Sequence, residues 1–263
     1  MSLFQKRVVL ILFLFLLWEV LPRIGIIDRL LIPPLSTILE TAYDLFAHGE
    51  LWKHSSISLQ RALVGLCAAV FLGLPAGLLL GGWFPRLQQA VEPLMELFAQ
   101  ANPVILAHII IFFLGVGEVA RTFIIGWLCI WPIIFCAISG IHSVDQQLLK
   151  SARSFGLGRF RLFFLVVIPA SAPSIFTGVR LAAGYAFIML VASEMMGANT
   201  GLGYFIVMSQ ESYKVADVFA GTLIVTLFAV VTDAVIRYAE KRVVIWDATG
   251  NEDFLNLKQA EET

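Results

Sequence analysis

The feature that most constrains this chain is a series of long apolar stretches that carry few or no charges. The clearest of them, Ala62–Phe84, contains no charged residue, and about 20 apolar residues are enough for a helix to cross a bilayer. Hydrophobic residues make up 59% of the 263 residues and charged residues only 14%. Soluble domains average about 45–50% and about 25%, respectively. The chain is therefore expected to be a polytopic membrane protein.

Six apolar segments are long enough to form membrane helices, which predicts an all-α protein with about six transmembrane spans. The predicted spans are residues 8–27, 62–84, 97–116, 122–141, 174–193 and 218–238. Because the connecting segments are short, residues 1–246 are expected to form a single transmembrane domain. The polar and acidic residues 247–263 are expected to be a disordered cytoplasmic tail.

The distribution of lysine and arginine favours an orientation with both termini in the cytoplasm. If the N-terminus is inside, eleven of the 18 basic residues lie on the inner side, six on the outer side, and Arg180 within the fifth span. Cytoplasmic loops carry an excess of such residues in membrane proteins. Arg180 lies about 10 Å along a helix from Pro173. Its long side chain is therefore expected to reach the inner interface as an anchor, with a role in gating as the alternative.

A short amphipathic helix is predicted on the outer membrane surface between the first two spans. Pro33 and Pro34 end the preceding segment, and Thr37 and Glu40 have the spacing of a capping box. Apolar residues then recur at helical intervals as far as Phe46, a pattern typical of helices that lie in the interface.

Polar residues in the spans are candidates for the transport pathway, because burying them in lipid is costly. In the third span, Gln100 and His108 lie about 80° apart if the span is one straight helix. Glu194 lies near the outer boundary beside a glycine-rich turn, and Gln210 is a weaker candidate. The alternatives are an interhelical hydrogen bond for the first two residues and a solvated helix end for Glu194. Replacing Glu194 is expected to alter uptake without altering assembly.

The longest cytoplasmic connection, residues 142–173, carries the strongest functional pattern. Its first part is predicted to be a short helix that ends near Gly156, since glycine suits a helix terminus. A second helix then rises towards the bilayer, and Pro169 and Pro173 are expected to bend the entry into the fifth span.

This loop resembles the signature loop of the permeases of ABC importers. The family pattern is Glu-Ala-Ala, three residues, Gly, nine residues and Ile-x-Leu-Pro. At the matching positions this chain has Lys150, Ser151, Ala152, Gly156, Val166, Ile168 and Pro169, so that Lys and Ser replace the family's Glu and first Ala. The segment Ser193–Tyr204 is similar to the segment after span five in the nitrate/sulfonate/taurine branch of these permeases.

The resemblance implies a type I ABC importer permease in a bacterial inner membrane. The helix before Gly156 would dock into a cleft on a separate ATPase subunit, which would drive the permeases between inward-open and outward-open states. The implied partners are that ATPase, an extracytoplasmic solute-binding protein, a second permease copy in a homodimer, and membrane lipid. The implied substrate is a small oxyanion or sulfonate, or a pyrimidine-like vitamin precursor.

Several classes of function are disfavoured by the residues themselves. None of the six lysines follows a glycine, so the chain has no G-x-x-x-x-G-K-[ST] loop, and ATP and Mg²⁺ are expected on a partner subunit only. The four histidines are scattered, which predicts neither a metal site nor a catalytic site. A net charge of -1 gives no reason to expect nucleic acid. A secondary transporter or channel that works without an ATPase is the alternative, but no internal repeat supports it.

Overall fold

The computed structural model describes residues 3–25, 28, 31–115 and 117–244, and every regular element within them is a helix. In chain order the helices are α1 (Leu3–Ile24), α2 (Leu35–Ala47), α3 (Glu50–Gly82), α4 (Pro85–Gln100), α5 (Pro103–Leu114), α6 (Glu118–His142), α7 (Gln146–Ser154), α8 (Arg159–Leu162), α9 (Ile168–Met195), α10 (Leu202–Glu211) and α11 (Val215–Val243). The predicted all-α class is confirmed for this part of the chain. The predicted tail, 247–263, lies outside the described residues.

Four of the described helical segments are long and apolar enough to cross a membrane. They are α3, α6, the segment Arg159–Met195 that ends in α9, and α11. The pair α4 and α5 makes a fifth if a bent pair counts as one span. The first predicted span coincides with α1, a helix of 22 residues, and its crossing of the membrane stays a prediction.

The third predicted span is wrong as a single straight helix, because the chain turns by 89° between α4 and α5. Pro103 disfavours a helical conformation at Asn102, whose ψ is 116°. The Asn102 side chain then accepts hydrogen bonds from the backbone N–H groups of Val104 and Ile105 at 3.0 and 3.4 Å. Asn102 thus caps a new helix, and the break separates Gln100, at the end of α4, from α5.

Residues Met1–Arg61 and Leu190–Phe228 form one compact unit, called unit 1 here. In this unit α2 is present as predicted, but the Thr37–Glu40 capping box is not formed. The helix begins at Leu35, after Pro34, and no side chain of its own caps it. Glu19 of α1 accepts a hydrogen bond from the Ser36 backbone N–H at 3.0 Å instead. A carboxylate from another helix therefore accepts a backbone hydrogen bond at the N-terminus of α2.

The described residues within 62–189 and 229–244 form the second compact unit, called unit 2 here. Its helices approach closely where glycines face them. A Cβ atom added at Gly65, Gly73 or Gly77 of α3 would lie less than 3 Å from a side chain of α6. Gly178 of α9 is in the same situation against Cys136 of α6, at 2.6 Å. Small residues at helix contacts are the usual way in which membrane helices pack.

Arg180 in unit 2 has intramolecular partners that the sequence analysis did not predict. Its Nε donates a hydrogen bond to Asp233 of α11 at 2.9 Å, and its guanidinium lies 3.9 Å from the Glu240 carboxylate. Arg237 also pairs with Asp233. The ion pairs join α9 to α11, so Arg180 is held by the protein whether or not it also reaches the interface.

Candidate functional site

The candidate coupling loop contains the short helix that the sequence predicted. Helix α7 begins after Asp145, whose side chain accepts a hydrogen bond from the Gln147 backbone N–H at 2.8 Å. It ends at Ser154, and Gly156 follows in the left-handed region with φ of 78°. The Gly156 N–H donates to the Arg153 carbonyl at 2.9 Å. The predicted end near Gly156 is confirmed.

Within unit 2, one side of helix α7 packs against the neighbouring elements, and the rest of its surface is exposed. Ala152 is buried, and the half-buried Leu149 packs against a cluster of Val144, Phe163 and Val167. Of the other predicted loop residues, Lys150, Ser151 and Gly156 are exposed, whereas Val166, Ile168 and Pro169 are half-buried. Most of the α7 surface is therefore exposed, whereas the second half of the loop is partly covered by the rest of unit 2.

The entry to the fifth span, where a bend was predicted, contains a π-helical turn, and the bend itself stays a prediction. This turn, Phe163–Val167, lies directly before α9 and joins it to α8. Pro169 lacks an N–H group, and its ring conflicts with the carbonyl four residues earlier in a regular α-helix. The wider π turn accommodates this conflict, as π turns often do at functional sites. The helical segment nevertheless continues unbroken from Arg159 to Met195.

The π turn is held against the end of α3 by a close aromatic contact. A Cβ atom at Gly82 would lie 2.2 Å from Cε2 of Phe163, so only glycine leaves room for the ring. The neighbouring Trp83 packs on Phe160, with ring centroids 4.5 Å apart. The Arg159 guanidinium lies 5.0 Å from the Trp83 ring centre, within the range of a cation–π contact.

Gly82→Ala is expected to displace Phe163 and to lower the free energy of unfolding by about 1–3 kcal/mol, as overpacked cores do. The melting temperature of the detergent-solubilised protein measures this change. Gly81→Ala is the matched control, because its added Cβ would come no closer than 3.1 Å, to the end of the Ile141 side chain. Equal melting temperatures for the two variants would contradict the packing role of Gly82.

A second site, in unit 1, is a buried cluster around Glu194. Glu194 is 1% exposed and Arg61 is 4% exposed, and the two form an ion pair at 2.7 Å. Ser58 Oγ lies 2.8 Å from both carboxylate oxygens, so that its hydroxyl donates to one of them. The Gly203 backbone N–H donates to Oε2 of Glu194 at 2.9 Å. The carboxylate is thus surrounded by donors, which is what a buried charge requires.

The same cluster fastens the glycine-rich turn after α9 to the first half of α3. Arg61 donates to the backbone carbonyl of Thr200 at 2.8 Å and to its hydroxyl at 3.1 Å. The Gly201 N–H donates to Nδ1 of His54 at 3.0 Å, and the Leu202 N–H donates to Ser58 Oγ at 2.7 Å. Three consecutive residues of the turn are therefore bonded to side chains of α3.

The interpretation of Glu194 as a solvated helix end is wrong, because its side chain is buried in unit 1. Its burial is a reason to expect that its replacement also lowers stability. The ion pair with Arg61 was not predicted from the sequence. One signal was available, because the short hydroxyl Ser58 and the cation Arg61 are three residues apart on one face of a helix.

The other candidate pathway residues, His108, Gln100 and Gln210, are exposed. His108 Nδ1 lies 2.8 Å from the Val104 carbonyl of its own helix. Gln100 is exposed at the end of α4, so the helical angle that placed it beside His108 does not apply across the 89° break. Gln210 is exposed near the end of α10. Their contact with a transported solute stays a prediction.

Comparison with known proteins identifies the family. Residues 73–245 match the family model described as binding-protein-dependent transport system inner membrane component. The taurine transport system permease protein of Escherichia coli is 28% identical over 234 residues, covering 87% of this chain and 85% of that protein. The nitrate import permease protein of Leptolyngbya laminosa is 30% identical over 196 residues, covering 74% and 70%.

The fold is similar to a solved permease structure. A chain of the inward-facing MetNI methionine ABC transporter superposes with a TM-score of 0.57 at 19% identity, covering 73% of this chain and 93% of that chain. This match confirms the predicted type I importer permease fold. The chain belongs to the family of binding-protein-dependent transport inner membrane components, and it is a multi-pass inner-membrane permease subunit of an ABC importer.

Proposed function

We propose that this permease imports a small sulfonate or nitrate-like anion and is driven by a separate ATPase through the loop between α6 and α9. The substrate class is supported by relatives named for taurine and for nitrate, because a sulfonate and nitrate both present a compact group of anionic oxygens. An extracytoplasmic binding protein delivers the anion. ATP and Mg²⁺ bind the ATPase subunit.

The observation that carries the coupling role is the rigid connection from α7 to a membrane helix. Leu149 of α7 packs against a buried cluster that includes Phe163 and Val167 of the π turn, and Ala152 of α7 is buried. The π turn lies within the helical segment Arg159–Met195, which has 37 residues and is about 55 Å long at 1.5 Å per residue. Such a rod transmits a displacement of α7 as rigid-body motion.

A second copy of the chain completes the translocation path, since the four or five candidate spans described here are few for enclosing one. The two copies expose their apolar outer surfaces to lipid, and both termini lie in the cytoplasm. Chemical cross-linking of the purified importer in a bilayer, read out as permease dimers, tests this arrangement.

Gly156→Trp is expected to leave the permease in the membrane but to lower both ATPase stimulation and uptake by at least about tenfold, equivalent to about 1.4 kcal/mol. Among the described residues, chain neighbours aside, none lies within 4 Å of a Cβ added at Gly156, so the indole would project towards the docked subunit. The left-handed φ adds about 1 kcal/mol of backbone cost for any L-residue. Uptake into proteoliposomes and ATP hydrolysis by the assembled importer are the two measurements.

Gly49→Trp is the matched control for this experiment. Gly49 has φ of 76° and equally open surroundings, but it lies between α2 and α3, outside the loop. The control should retain coupling because it carries the same backbone cost without the docking position. If the two variants lose uptake equally, or if Gly156→Trp remains coupled, the docking role is wrong.

Ligand binding by the cognate extracytoplasmic protein tests the substrate class. Taurine, an aliphatic sulfonate and nitrate are compared by titration calorimetry, with a neutral pyrimidine as the contrasting ligand. Binding of the pyrimidine alone would overturn the anion assignment and leave the coupling role untouched.

A further inference from the structure

The exposed surface of α7 and of Phe155, the residue directly after it, carries two different kinds of side chain. Lys150 and Arg153 are exposed, as are Leu148 and Phe155, which are 46% and 86% exposed. A partner that covers an exposed phenylalanine stabilises the complex, because apolar surface is removed from water. Only Ala152 is buried on this helix.

The two kinds of residue lie on opposite flanks of the helix. At about 100° per residue, Lys150 and Arg153 lie about 60° apart, and Leu148 and Phe155 about 20° apart. The midpoints of the two pairs are separated by about 180°. Between them, on the side away from unit 2, are short polar residues, which are Gln147, Ser151 and Ser154.

The charged flank is free to meet an anionic surface. Helix α7 contains no acidic residue, and the carboxylate of the preceding Asp145 is engaged at the helix N-terminus. Among the described residues, neither Lys150 nor Arg153 forms an ion pair. Both cations are therefore available to a partner.

The arrangement favours a concave partner over a flat one. A bilayer surface that approached the outermost side of α7 would meet its serines and reach neither flank fully. A cleft that encloses the helix meets both flanks, and its floor can approach closely over the small serine side chains. Charge complementarity across such an interface fixes the register and the partner.

We propose that the ATPase cleft that receives α7 has two unlike walls: an acidic wall facing Lys150 and Arg153, and an apolar recess that takes Leu148 and Phe155. The proposal rests on the proposed coupling role of this loop. The charged flank then determines which partner binds, and the opposite flank buries apolar surface in the complex.

The test uses the full-length permease in nanodiscs of zwitterionic lipid and the ATPase subunit that co-purifies with the wild-type chain. Affinity is measured at several salt concentrations. The double variant Lys150→Glu, Arg153→Glu should bind at least about 30-fold more weakly, and its affinity should no longer fall as salt rises. Phe155→Ser should bind about tenfold more weakly with an unchanged salt dependence.

Lys241→Glu is the control for the charged flank, since this exposed residue of α11 undergoes the same charge change outside the loop. Melting temperatures should match that of the wild type for all variants, because each substituted side chain is exposed. Unchanged affinity of the charge-reversed variant would overturn the two-wall proposal while leaving the coupling role intact. Failure of the wild type to bind the ATPase would overturn both.

Lipid is tested separately by repeating the titration in nanodiscs that contain anionic lipid. An effect of charge reversal that appears only there would show that Lys150 and Arg153 serve the bilayer, and the acidic wall would be rejected. An equal effect in both lipids supports it.

Discussion

Glu194→Ala is expected to lower the free energy of unfolding by about 3–5 kcal/mol, because it removes the carboxylate that pairs with the buried Arg61 guanidinium. Arg61 is 4% exposed and loses its 2.7 Å ion pair in this variant. The Ser58 hydroxyl and the Gly203 N–H lose an acceptor as well. The amount of folded permease in the membrane and its melting temperature in detergent measure the loss.

Two further variants show whether the loss comes from the buried charge. Replacing both partners, as Arg61→Leu with Glu194→Ala, should be less harmful than the single change, because the buried cation is removed together with its carboxylate. Lys214→Ala removes a largely exposed cation, 4.0 Å from Asp217, and should cost less than about 1 kcal/mol. If Glu194→Ala instead melts like the wild type and changes only uptake, Glu194 is a pathway residue after all.

Gly201→Ala is expected to be about as damaging, with a loss of about 3 kcal/mol or more. Gly201 has φ of 117° and ψ of 166°, a region that is essentially restricted to glycine. A Cβ atom there would also lie 2.3 Å from the buried Glu194 carboxyl carbon. Backbone strain and steric overlap would therefore act on the same turn. The melting temperature again provides the measurement.

Gly197→Ala separates the two causes. Gly197 also has a positive φ, 75°, but in the part of the chain that the structure describes no atom beyond its chain neighbours lies within 4 Å of an added Cβ. It should therefore show only the backbone cost, about 1 kcal/mol. Equal losses for the variants at 197 and 201 would mean that contact with Glu194 does not determine the sequence of this turn.

Structural features that depend on a single segment could be predicted from the sequence. The end of α7 depends on Gly156, whose left-handed conformation follows from its own lack of a side chain. The break after Gln100 also had a local signal, since Asn followed by Pro is a typical helix start. Continuous hydropathy across residues 97–116 concealed that signal, because it measures length and apolarity but not direction.

Long-range polar contacts could not be read from one sequence. Arg61 and Glu194 are separated by 133 residues, and no periodicity links two positions so far apart. The start of α2 shows the same difficulty at shorter range. Thr37 and Glu40 fit a capping box, yet Glu19 provides the carboxylate near this helix start, because tertiary contacts override local preference.

The ion pairs between α9 and α11 have a consequence for biogenesis. Asp233, Arg237 and Arg180 all lie within helices long enough to cross the bilayer, where a single charge near the centre of an inserted helix costs about 2.5–3.5 kcal/mol. Pairing of Arg180 with Asp233 offsets part of this cost only when both helices are present. Helices α9 and α11 should therefore pass from the translocon into the lipid together. Helix α9 would stay in the translocon until α11 has been synthesised.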